Sequence, residues 1–256
     1  MDFEEFKKKV KTTFRLDLNA YKEKQLQRRL DSYLSKLKLR DYGELYNQLT
    51  GQRESYEKFL DHLTINVSEF FRDPQRFEEL QHKYLPGLFH GRSMVKIWSA
   101  ACSNGSEPYS IAIILEEMGL SARSRIDATD IDRQVLKKAA EARYNRDGLK
   151  NVSKNRLERF FTKQGDFYLL KDSIKKKVVF RYHDLLGDDY QKGYDLIVCR
   201  NVTIYFTREA QDGIYKKFNH SLNPGGILFI GGSEMIFNYK DLGYEKLAPC
   251  FYKKVK

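Results

Sequence analysis

Apolar residues in the first third of the chain recur at helical spacing. Phe3, Phe6, Val10 and Phe14 fall three or four residues apart, and Leu26, Leu30, Tyr33, Leu34 and Leu37 repeat the pattern. Lys24, Arg28 and Lys38 project on roughly the opposite side of that second segment. Further helices are expected over Tyr42 to Leu49, near Ser55 to Leu63, and after Pro74 through Phe77, Leu80 and Tyr84, with a stop near Pro86-Gly87. No β-branched run interrupts this stretch, so residues 1–85 read as an all-helical domain and 86–93 as a linker.

From residue 94 onward the period changes. Val95-Lys96-Ile97-Trp98 reads as a short strand, followed by a turn of small residues, Ser99 to Ser106. Pro108 suits the first turn of the next helix, where its missing N–H has no partner to lose, and Gly119 ends that helix. Ile126 to Asp130 is a strand ending in an acid, and a helix follows around Val135 to Ala142. Later strands are expected at Val178 to Tyr182, Asp195 to Cys199, and Ile227 to Ile230 after a Pro224-Gly225-Gly226 turn. Alternation of strands and helices predicts an α/β domain, a doubly wound parallel sheet covered on both faces. An extended pair near Glu245 to Leu247 and Phe251 to Lys253 would add an antiparallel edge. Roughly thirty residues, about 145–177, exceed what a tight crossover needs. They read as an inserted β subdomain, with Lys175-Lys176-Lys177 completing its small antiparallel sheet.

Composition narrows the function classes. The 256 residues are 41% hydrophobic and 14% aromatic, too apolar for a disordered chain. Lys and Arg number 46 against 35 Asp and Glu, a net charge of +11, which favours an anionic partner. The excess is uneven: residues 1–40 carry +6, residues 133–192 carry +8, and the remainder carries −3. Cys102, Cys199 and Cys250 are far apart and lack CxxC spacing, and the five histidines show no HExxH pattern. That argues against a disulfide framework and a metal enzyme. The acidic, amphipathic start and the lack of a long apolar run predict a cytoplasmic protein without a signal peptide or membrane insertion.

The candidate chemistry sits at the small-residue turn. A strand, a tight turn and a helix N-terminus allow a nucleotide-like ligand to approach backbone N–H groups. Asp130, at the end of the following strand, can accept both hydroxyls of an adenosine ribose; alternatively, it caps the next helix. Glu107 is placed to hold a ligand ammonium, or simply to face the helix dipole. These features leave a nicotinamide dinucleotide and S-adenosylmethionine both open. The single glycine of the turn and the antiparallel terminal segment lean towards the latter.

Five ordered motifs carry a resemblance. They are Thr64 to Asp73 (TINVSEFFRD), Trp98 to Ser110 (WSAACSNGSEPYS), Ala128 to Asp132 (ATDID), Cys199 to Phe206 (CRNVTIYF), and Pro224-Gly225-Gly226 with Gly232-Ser233-Glu234. Together they resemble the signature of the CheR-type chemotaxis receptor methyltransferases over nearly the whole chain. The resemblance implies a methyltransferase-type doubly wound sheet with a helical N-terminal domain. It implies methyl transfer from S-adenosylmethionine, leaving S-adenosylhomocysteine, to glutamate side chains on chemoreceptor cytoplasmic helices. By the family's pattern Asn66, Ser68 and Arg72 line the cofactor, Glu107 meets its ammonium and Asp130 its ribose. Asp184 and Leu185 lie by the adenine, and Asn201 and Val202 close over the methionine end. Three departures stand out: Ser68 replaces a common threonine, Asp184 a common asparagine, and Gly232 the usual histidine.

A glutamate acceptor is already ionised at pH 7, so its methylation needs positioning and exclusion of water rather than a general base. Tyr205 is the candidate for holding one carboxylate oxygen, and Arg92 for pairing with the substrate carboxylate. The Lys24, Arg28 and Lys38 face is the candidate for docking acidic receptor helices, and nothing in the chain demands more than a monomer. A nucleic-acid methyltransferase would suit the charge, but base-amine methylases of this fold often carry a proline-rich loop where Arg200 to Phe206 stands, so no nucleic-acid partner is expected. A non-catalytic cofactor-sensing module would need a broken site, and the expected site residues are all present.

Overall fold

In the computed structural model, which describes residues 1–64, 66 and 68–255, four helices open the chain. Ile65 and Val67 of the Thr64 to Asp73 motif lie outside the described residues. The helices are α1 (Phe3–Phe14), α2 (Glu23–Leu37), α3 (Tyr42–Gly51) and α4 (Arg53–Leu63). Asp2 caps α1 by accepting from Glu5 N, and Asp41 caps α3 by accepting from Gly43 N and Glu44 N. Their apolar stripes meet in one core around Phe6, Val10, Leu30, Leu45 and Phe59.

The next helical stretch belongs to the other core. α5 (Pro74–Glu79) runs through a wider π turn at Leu80–Tyr84 into α6 (Leu85–Phe89), beyond the stop expected at Pro86-Gly87. Pro86 falls in the first turn of the segment after the π turn, where it has no intrahelical N–H bond to forfeit. Phe70, Phe77, Leu80, Leu85 and Phe89 all pack with the sheet residues. The division between cores therefore falls at residues 64–69, not at the 85–86 boundary that helical periodicity suggests. Periodicity reports a helix but not which neighbour buries its stripe.

The sheet strands are β1 (Val95–Ala100), β2 (Ser124–Asp130), β6 (Val178–Tyr182), β7 (Tyr194–Cys199), β8 (Leu222–Ile230), β9 (Tyr244–Ala248) and β10 (Phe251–Lys254), in the spatial order β6-β2-β1-β7-β8-β10-β9. The first five in that order are parallel, β10 runs antiparallel to β8, and β9 runs antiparallel to β10. Helices α7 (Ser106–Glu117), α8 (Arg133–Glu141) and α11 (Arg208–Ser221) cover it. Strand β7 is buried along its whole length, as a central parallel strand requires. The order changes direction between β1 and β7, so the crevice at their C-terminal ends is the place where this fold binds ligands.

A second sheet has the order β3-β5-β4, from β3 (Arg143–Tyr144), β4 (Phe161–Gln164) and β5 (Phe167–Leu170), with α9 (Lys154–Phe160) before β4. Its third strand is thus Arg143–Tyr144, and the expected contribution of Lys175 to Lys177 is not made. Instead α10 (Asp172–Lys175) forms there, drawing Ile174 fully into the core and leaving the lysines outside the ladder.

Candidate active site

The turn after β1 is built from left-handed residues, with φ of 58° at Ala101, 51° at Ser103 and 83° at Gly105. A Cβ on Gly105 would lie 3.1 Å from Ala139 Cβ and 3.2 Å from the Phe180 ring, so glycine is needed for both conformation and space. This path brings Ser103 N–H within 2.8 Å of Asp130 Oδ2. Asp130 Oδ1 accepts from Asp132 N at 3.0 Å, but the helix cap is Asp132, which accepts from Gln134 N and Val135 N. Asp130 is thereby freed from capping and lines the cleft. Burial pushes its carboxyl up to about 6, against backbone N–H bonds from Asp132, Ser103 and Ile131 that favour the ionised form.

That cleft lies between the sheet edge and the helical domain. Tyr21, Gln25 and Arg29 wall it on one side, Ser103 and Asp130 on another, and His183, Asp184 and Leu185 on a third. Asp184 turns its Oδ1 onto Leu186 N at 2.9 Å, so the acid shapes its own loop by an Asx turn. An adjoining cavity holds Ser68, Arg72, Glu107 and Arg200. Asn201, Val202 and Tyr205 line both spaces and stand where they meet.

Glu107 is partly buried, with Oε1 accepting from Ser99 Oγ at 2.8 Å and Oε2 3.7 Å from Arg200 Nη1. Desolvation raises its carboxyl above the usual range, and Arg200 opposes the shift. The Arg200 guanidinium lies between the Phe77 and Phe229 rings, at 5.2 and 4.7 Å, and donates through Nη2 to Arg72 O and Asp73 Oδ2. Asn66 reaches the cleft from the end of α4, and its amide donates to Asp132 Oδ2 at 2.9 Å, tying the two domains together. The Ser68 carbonyl accepts from Asn104 Nδ2.

The loop after β7 is held by a residue to which the sequence pattern gave no role. Glu234, buried, accepts through Oε1 from Val202 N, Thr203 N and Thr203 Oγ1, and through Oε2 from Asn201 N and Gly231 N, all at 2.6–2.9 Å. A Cβ on Gly231 would lie 2.8 Å from Glu234 Oε2, so the close approach demands glycine. Asn201 is fixed with φ 59°. The sequence offered one signal, Glu234 closing the Gly232-Ser233-Glu234 motif. Arg200 likewise stood inside a motif, CRNVTIYF, without a role, whereas Tyr21, Gln25, Arg29 and His183 carried no local signal.

Two expected placements need comment. Arg92 pairs with Asp195 Oδ1 at 3.5 Å and donates to Leu88 O. Asp195 and the nearby Lys96 N–H mark the N-terminal ends of β7 and β1, a strand's length from the cleft. The residue precedes β1, and the strand's direction carries it to the wrong edge. Arg92 is therefore not a substrate-binding group. Lys24 and Arg28 are exposed on α2, and Lys38 is exposed at its left-handed C-cap.

Among the described residues, six buried side-chain polar atoms lack a partner. Four belong to cleft residues: Arg29 Nε, Ser103 Oγ, His183 Nε2 and Asn201 Oδ1. Buried polar groups are normally bonded, so this concentration marks a wall completed by a polar ligand. Two carboxylates, Asp130 in the cleft and Glu107 in the adjoining cavity, fit a ligand with a diol and an ammonium.

Residues 1–64 match the CheR methyltransferase, all-alpha domain, and residues 66–248 match the CheR methyltransferase, SAM binding domain. A chemotaxis protein methyltransferase of Listeria monocytogenes is 42% identical over 99% of this chain and 97% of its own length. Chemotaxis protein methyltransferase 1 of Pseudomonas aeruginosa is 34% identical over 97% and 94%. A probable biofilm formation methyltransferase, WspC, from the same bacterium is 30% identical over 90% of this chain and 56% of its own. With both of its domains matched and the cleft that such a cofactor requires in place, the chain belongs to the CheR family of S-adenosylmethionine-dependent methyltransferases.

Proposed function

We propose that the protein methylates glutamate side chains on the cytoplasmic helices of chemoreceptors, giving γ-glutamyl methyl esters, and that it acts in the cytoplasm as a monomer without a metal. The observation that carries the reading is the meeting of the two spaces at Asn201, Val202 and Tyr205. Bound S-adenosylmethionine supplies an electrophilic methyl group on a sulfonium cation. Asp130 accepts from the ribose hydroxyls, Leu185 packs on the adenine, Asn66 and Ser68 line the cofactor, Glu107 holds the ammonium and Arg72 the carboxylate. Tyr205 donates to one oxygen of the acceptor carboxylate and leaves the other free to attack.

This chemistry requires neither a base nor a nucleophile from the protein, and the nearby groups suit that. Burial raises the Cys102 and Cys199 thiols well above their ordinary range and lowers His183. An anion and a cation neutralise each other during transfer, so the walls contribute mainly by excluding water and fixing geometry.

The test is transfer of tritiated methyl to a purified chemoreceptor cytoplasmic fragment, followed by base treatment. Volatile methanol identifies a carboxylate ester and supports the reading. Label that stays bound after base treatment, or that passes to RNA instead, overturns it.

A further inference from the structure

Two of the most exposed large apolar side chains among the described residues are Phe237, 66% exposed, and Met235, 50% exposed. They flank Ile236, which is buried and whose N–H donates to Tyr252 OH, so the turn is anchored at its middle and presents its neighbours outward. Arg208, the first residue of α11, lies 4.3 Å over the Phe237 ring. This lip joins the reaction loop from both directions. Met235 follows Glu234, which holds residues 201–203, and Arg208 stands three residues beyond Tyr205.

On the other side of Tyr205 begins α2. Lys22 N donates to Tyr205 O at 2.9 Å, Thr207 N donates to Ala20 O at 2.8 Å, and Tyr21 meets Phe206 edge-on at 5.0 Å. The loop that carries Tyr205 is thus tied to the start of α2 on one side and, through Glu234 and Arg208, continues into the lip on the other. Isolated exposed apolar residues need no explanation, but a cation-flanked pair beside the loop that carries Tyr205 does.

Resting on the proposed function, we infer that this lip is a second docking surface for the substrate helix. Met235 and Phe237 would take apolar residues beside the methylated glutamate, and Arg208 an acidic one. An amphipathic helix with acidic residues beside an apolar stripe offers that complement, and methionine's soft, flexible side chain accommodates varied apolar neighbours. The lip would orient the helix about its own axis, while the α2 face supplies long-range attraction.

The test is a Met235→Ser, Phe237→Ser double variant of the full chain, assayed with the receptor fragment beside the parent protein. Both side chains are exposed, so the melting temperature should stay within about 2 °C. Cofactor affinity by calorimetry should be unaltered, while receptor KM rises about tenfold. Arg208→Glu should raise it further at low salt than at high salt. An unchanged KM in the double variant overturns the inference while leaving the proposed reaction intact. If the parent protein esterifies no receptor fragment, the proposed reaction has failed first, and the docking inference falls with it. Concentration-dependent self-association that the double variant abolishes without changing KM would assign the lip to a second copy of this chain and overturn the inference.

Discussion

The loop after β7 and the wall of the adjoining cleft are a few residues apart and are built on opposite terms. In the loop, five donors converge on the two oxygens of Glu234. Along the wall, Arg29, Ser103, His183 and Asn201 each leave a buried polar atom without a partner. The loop is complete before any ligand arrives, whereas the wall keeps desolvated groups whose cost a ligand can relieve. Asn201 belongs to both, since its N–H is spent on the frame and its Oδ1 is left for the cleft. A rigid frame beside an unsatisfied wall lets affinity come from the wall and alignment from the frame.

The sharpest way to break this contrast is Glu234→Gln. An amide nitrogen would face N–H donors now served by the carboxylate, costing about 3 kcal/mol of stability by denaturant unfolding. Displacement of Asn201 to Tyr205 should lower kcat about a hundredfold in the molecules that remain folded. A variant with parental kcat would show that the loop needs no such frame.

Asp130→Asn acts on the wall and should weaken cofactor binding by about thirtyfold, measured by calorimetry, through loss of a charged acceptor. The same residue sets a pH dependence. Its carboxyl is raised to about 6 in the folded protein, from an ordinary value of 3.8. Its contribution to stability is therefore fully present below about 3.8 and is lost as pH rises through 6. Cofactor binding runs the other way because ribose hydroxyls need the ionised form. Affinity should reach a plateau above pH 7 and fall up to about tenfold per unit well below 6. Asp130→Asn should remove that part of the slope, and a slope that survived intact would transfer it to Glu107.

The smallest effect sharpens the distinction most. Ser103→Ala deletes an unsatisfied hydroxyl, so unfolding free energy should hold steady or rise by about 1 kcal/mol, while cofactor affinity drops a few-fold. A loss of stability would mean that Ser103 belongs to the frame after all.

Period and turn chemistry made the sheet strands and their flanking helices legible from the residues, because each is long enough to show its pattern. Strand β3 was not, since two residues, Arg143 and Tyr144, show no alternation, and only pairing with β5 defines them. The position of Asp130 in the cleft was legible because a strand-terminal acid beside a small-residue turn is a local arrangement. Arg29 was not, because the helix that carries it reaches the cleft only after two domains pack. Arg92 was misplaced for a related reason: proximity in sequence to β1 does not reveal which end of the strand a residue occupies. Helical period placed Phe77 and Leu80 with the wrong neighbours until the two cores separated them.

The bonds that zip Ala20–Lys22 to Tyr205–Thr207 bear on modularity. Two regions matched as separate families share one cleft, and Tyr21, Gln25 and Arg29 make a side that the sheet domain cannot supply. A sheet domain cut free at residue 66 would keep its Asp130 and Glu107 but lose the roof over them. The helical domain is therefore not an adaptor that recombination could exchange freely. Any exchange of the helical domain must also preserve a fitted ceiling, which binds its evolution to that of the cleft beneath it.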